Sequence, residues 1–109
     1  MTTSDIRQQF EKVRTEVNDL LTEPAAFWDR LRWLTLFDIL DELKEDLHRG
    51  HGKKWPPGFC AGYVKLRTGI KELFDLLFTS SSAPPVAYAL TRLTVYHNAV
   101  AETITNAVS

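Results

Sequence analysis

Cysteine is almost absent from this chain of 109 residues: Cys60 stands alone. No internal disulfide can form, and a reducing cytoplasm is the compartment that such usage fits best. Long apolar runs are missing too; none approaches the ~18 residues that a membrane span requires. The opening stretch, MTTSDIRQQF, has neither a basic n-region nor an apolar h-region, so a secretory signal is not expected. Neither sign of charge is in excess: 13 Lys and Arg against 14 Asp and Glu leave a formal net charge of −1. That excludes a global basic field able to gather nucleic acid or anionic lipid. No internal repeat is found. Glycine and proline are scarce, five of each, and they gather mostly between the apolar segments.

What is present is helical periodicity. With 44% apolar and 25% charged residues, the chain can build the core of one small domain. Ile6, Phe10, Val13, Val17, Leu20 and Leu21 recur at steps of three and four, predicting a first helix over about 5–21. Pro24, tolerated in a first turn, opens a second over about 24–49. The connection between them is short enough to make an antiparallel pair. Gly50, Gly52, Pro56, Pro57, Gly58 and Gly62 mark the one true break. Tyr63, Leu66, Ile70, Leu73, Phe74 and Leu77 predict a third helix over about 61–79, with Gly69 as a weak point inside it. Val86, Leu90, Leu93, Val100, Ile104 and Val108 predict a fourth over about 85–107, with His97 standing in the apolar stripe. The expected architecture is all-α: a single-domain, antiparallel four-helix bundle.

The second helix is the unusual one. Trp33, Leu36, Leu40, Leu43 and Leu47 make one stripe, and Phe27, Leu31 and Leu34 make another that fades after Asp38. A surface helix carries a single apolar stripe, so the first half of this one must be covered on several sides. Four helices of this size have limited capacity to bury three tryptophans, and a dimer is the expected remedy. Aromatic residues are enriched at interface hot spots. Trp28, Trp33, Phe37, Trp55 and His97 are therefore the candidate partner-binding residues.

Several patterns bear on chemistry. Glu42 and Glu45, and likewise Glu72 and Asp75, are three apart and share a helix face. Solvated faces explain them. The pairs also resemble the E-x-x-E … E-x-x-D signature of the MazG-like, all-α nucleoside triphosphate pyrophosphohydrolases. That resemblance implies Glu42, Glu45, Glu72 and Asp75 as Mg²⁺ ligands, and hydrolysis of a nucleotide to monophosphate and pyrophosphate. Arg92-Leu-Thr-Val-Tyr-His97 has the R-x4-H form of HEPN ribonucleases, which implies Arg92 and His97 meeting in a cleft to cleave RNA. A hydrogen-bonded core histidine accounts for His97 equally simply. The run His48-Arg49-Gly50-His51-Gly52-Lys53-Lys54-Trp55 combines cations with an aromatic ring. It can bind phosphate or stack on a base, or it can serve as a helix C-cap offsetting the acidic run before it. Cys60, between Phe59 and Ala61, is expected to pack.

The expected function is accordingly non-enzymatic. A small cytoplasmic adaptor, regulator or inhibitor would bury its aromatic helix surface against a partner protein or a second copy. No cofactor is expected; Mg²⁺ belongs only to the hydrolase alternative.

Overall fold

A computed structural model describes residues 3–49, 55, 58–79 and 86–106. These are all-helical: α1 (Thr3–Thr22), α2 (Pro24–Phe27), α3 (Arg30–Arg49), α4 (Phe59–Phe78) and α5 (Val86–Asn106). The four long helices form a closed ring in which α1 packs on α3 and α5, and α4 packs on the same two. Each neighbour runs antiparallel. Gln9 and Asp19 of α1 bond Asp46 and Arg32 of α3 in reversed order, as Gly62 and Gly69 of α4 face Thr103 and Tyr96 of α5. One continuous core fills the ring, and the Phe10 and Phe59 rings meet across its diagonal at 5.3 Å.

The core face of α1 is the one its periodicity announces: Ile6, Phe10, Val13, Val17 and Leu20 are all buried. The expected single helix over 24–49 is corrected. The helix is interrupted at Trp28 and Asp29, where the Asp29 N–H turns to the Ala26 carbonyl, and restarts at Arg30. The cause is Asp29, an aspartate cap hidden inside an apolar run. Its Oδ1 accepts the Leu31 N–H at 3.0 Å, and its carbonyl accepts the Arg32 N–H at 3.0 Å, as an N-cap residue does. The interrupted turn leaves the Phe27 carbonyl without the Leu31 donor. The Trp33 indole N–H supplies one instead, at 2.9 Å. A buried carbonyl is therefore paired, as burial requires. The corner lets Ala26 and Phe27 turn inward while Trp28 stays out.

The third helix begins two residues earlier than expected. Gly58, in the left-handed region with φ +98°, precedes its first turn and offers its carbonyl to the Gly62 N–H at 2.7 Å. Gly69 is buried and has a packing role that the sequence did not disclose. A Cβ at that position would overlap the Tyr96 ring. The absent side chain admits Tyr96, which is 2% exposed, into the core. The core face of α5 is consequently Ala89, Leu93, Tyr96 and Val100. The expected stripe is thus rotated: Val86 is exposed and His97 moves to a flank. The expected helix ends at Gly50, Pro85 and 107, and Val108, lie outside the described residues.

Candidate functional site

The five expected partner-binding residues separate into inside and outside. Trp33 is fully buried, among Phe27, Phe74 and Phe78 with ring centroids 6.1–6.4 Å away. Its only polar atom is already spent on Phe27, so it presents nothing to a partner. Phe37 is buried too, edge-on to Phe74 at 5.3 Å, with the Arg67 guanidinium stacked 4.8 Å from its ring. Trp55 is partly buried. It donates its indole N–H to the Leu47 carbonyl at 3.1 Å and leans on Phe59. Leu47 is in the last turn of α3, where carbonyls lack helical partners, so Trp55 closes a helix end. His51, Lys53 and Lys54 of the same run lie outside the described residues. His97 is half-buried beside Arg14, Thr15 and Asn18 in a shallow depression between α1 and α5.

Trp28 is the one that faces solvent, 52% exposed, with its ring edge-on to Phe27 at 5.0 Å. It stands at the rim of an apolar cleft of about 150 Å³ where the end of α1, the α2 corner and the start of α5 meet. Leu20, Leu21, Phe27, Val86 and Leu90 form the walls. Around the corner, Leu31 and Leu34 project from the outer face of α3, 71% and 40% exposed. These two were not singled out as binding residues. The signal was there in the second stripe, Phe27–Leu31–Leu34, of which only Phe27 is buried. Beside Leu34 a groove of about 280 Å³ runs between α3 and α4, bounded by Phe37, Phe74, Asp41, Arg67 and Lys71. Arg67 reaches Asp41 at 3.5 Å. One of its guanidinium nitrogens, Nη1, is buried without a hydrogen-bond acceptor.

The structure does not bring the four carboxylates of the hydrolase alternative together. Glu42, Glu45 and Glu72 are exposed, and Asp75 is bound by Lys71 at 2.9 Å. Register is the reason. Asp41 is level with Arg67; with 1.5 Å of rise per residue, Glu45 and Asp75 are separated by about 18 Å along the bundle, and Glu42 and Glu72 by about 9 Å. Among the described residues no three His, Cys, Asp or Glu side chains are grouped to hold a metal ion.

Arg92 and His97 do not meet either. Five residues along a helix turn them about 140° apart. Arg92 donates to the Tyr96 hydroxyl at 3.0 Å, which holds its guanidinium above the usual arginine range. His97 faces α1. Cys60 is exposed in the first turn of α4, not packed as expected.

Among the described residues no helix is long and apolar enough to cross a membrane. No family model, curated protein or solved structure matches this chain.

Proposed function

We propose that this chain is a small, non-enzymatic interaction module, an adaptor, regulator or inhibitor acting in the cytoplasm. The observation that supports this reading is the α2–α3 corner. A half-exposed tryptophan, an open apolar cleft beneath it and two projecting leucines lie together where the chain turns. Trp28 has the position of an anchor: a rigid apolar body held by Phe27 at its base and free at its edge. Burying such residues drives association, roughly 25 cal/mol per Å² of apolar surface removed from water. The partner is a protein with an apolar side chain for the cleft, and the module also associates with itself through Leu31 and Leu34. A lone exposed cysteine suits a reducing compartment.

A photo-activatable amino acid at position 28 tests this in the producing cell. A discrete covalent adduct is expected there. The same group at Glu102, exposed toward the other end of α5, should give none. Equal labelling from both positions, or no adduct from position 28, would remove the proposal.

A further inference from the structure

The outer face of α3 has an arrangement of charge that points to its occupant. Arg30 and Asp38 stand four residues to either side of Leu34, each about 6 Å away along the helix axis. Both are exposed. Among the described residues neither belongs to an ion pair, and the contact Arg30 does make is with the Phe74 ring, 5.8 Å from its centroid. Between them project Leu31 and Leu34. After Asp38 the same face turns acidic, through Asp41, Glu42 and Glu45.

We infer that a second copy of this chain covers this face, with the two α3 helices antiparallel about a two-fold axis through Leu34. A helix has approximate two-fold symmetry about any perpendicular through one of its residues. Residue 34 + k of one copy therefore comes level with residue 34 − k of the other, and the two are neighbours where both lie close to the line of contact. Arg30 of each copy comes to face Asp38 of the other, twice over. Leu31, the most exposed large apolar side chain described, flanks the axis beside Leu34 of the second copy. Apolar contact, cation and anion are all on one surface, which is the self-complementarity that an isologous dimer requires. A parallel arrangement would set Asp38 against Asp38 and the acidic turns against each other. The leucine contacts carry the association; the exposed ion pairs chiefly fix its register. The inference rests on the self-association part of the proposed function and adds the partner, its orientation and its register.

Sedimentation equilibrium of the full chain from micromolar to millimolar concentration tests it. A dimer is expected. Arg30→Glu and Asp38→Arg should each weaken it by roughly tenfold or more, and the double variant should return to near the parent affinity, because the swapped charges pair again. Both positions are exposed, so far-UV circular dichroism should not change. Leu34→Cys in a Cys60→Ser background is the independent measurement: two cysteines beside the axis should oxidise to a covalent dimer. A monomer at every concentration overturns both self-association and this inference. A dimer indifferent to both charge reversals, with no Leu34→Cys cross-link, overturns the register while self-association stands.

Discussion

Two seams of this bundle are closed in opposite ways. Between α4 and α5 the chain removes side chains. Gly69 lies against the Tyr96 ring, and a Cβ at Gly62 would come within 2.7 Å of the Thr103 hydroxyl oxygen. Between α3 and α4 the chain adds them: Trp33, Phe37, Phe74 and Phe78 meet edge to face or tilted, with Arg30, Arg67 and Lys71 over the outer rings. The first seam brings backbone close to side chain and leaves little space. The second holds its helices apart with rings whose edges do not tile, and a groove opens beside Leu34 and Phe37. A groove remains where packing is bulky and incomplete, because close-packed small residues leave no space between their helices.

Substitutions at each seam should break this contrast by different mechanisms. The largest effect is expected at Trp33→Ala, which empties the centre of the aromatic seam and strips the Phe27 carbonyl of its donor. About 3–5 kcal/mol of stability should be lost, read as a fall in the urea midpoint. A loss below about 1 kcal/mol would mean that the aromatic cluster is not structural. Gly69→Ala comes next. Helix propensity alone would make it stabilising by roughly 1 kcal/mol; overlap with Tyr96 should instead make it destabilising by about 1–3 kcal/mol. The sign of the change in urea unfolding decides between the two. Asp29→Ala removes the cap that restarts α3 and should cost about 1 kcal/mol. Amide exchange should accelerate first at Leu31, whose N–H loses its acceptor. Leu31→Ser should alter the stability of the single copy by no more than about 0.5 kcal/mol while abolishing the proposed dimer, as read by sedimentation. If it instead lowered stability as Trp33→Ala does, Leu31 would be core and the distinction between inner and outer faces would fail.

The smallest effect concerns Tyr63, which is buried on α4 next to the aromatic seam. Burial pushes its phenol above the ordinary value of 10.0, opposed by the Arg67 charge and aided by Asp41. A raised folded-state value means that the protonated form is favoured by folding. The associated stability is fully present below pH 10 and is lost as pH rises through the folded-state value. An ultraviolet titration should show a phenolate step above pH 10 that the Tyr63→Phe variant lacks. Phenolates ionising together would sink this assignment.

The apolar periods were legible residue by residue where one stripe faced one core. All of α1 was, as was the Trp33–Leu36–Leu40–Leu43 stripe of α3. Less legible were features set by a neighbour. The expected stripe of α5 held at Leu93 and Val100 but missed Tyr96, which is admitted only by the space that Gly69 leaves on another helix. The break at Asp29 was masked by the aromatic residues around it: an N-cap aspartate is a short-range signal, and the apolar period continues across it. Of the five candidate binding residues, the expectation rested on bulk. Bulk alone does not distinguish Trp33, whose indole N–H has a carbonyl to meet inside, from Trp28, which the corner turns outward.

By itself, then, the sequence determined helix content, the apolar faces and the short connections, because these depend on spacing along one helix and on local backbone chemistry. The tertiary structure alone decided which tryptophan is core, which flank of α5 is buried, that Glu45 and Asp75 sit near opposite ends of a seam, and that Leu31 and Leu34 remain uncovered. Each of these depends on the register and azimuth of two helices against each other. Those are set by the complementary shapes of side chains far apart in the chain, such as glycine against tyrosine and ring against ring, to which a periodicity of 3.6 residues is blind.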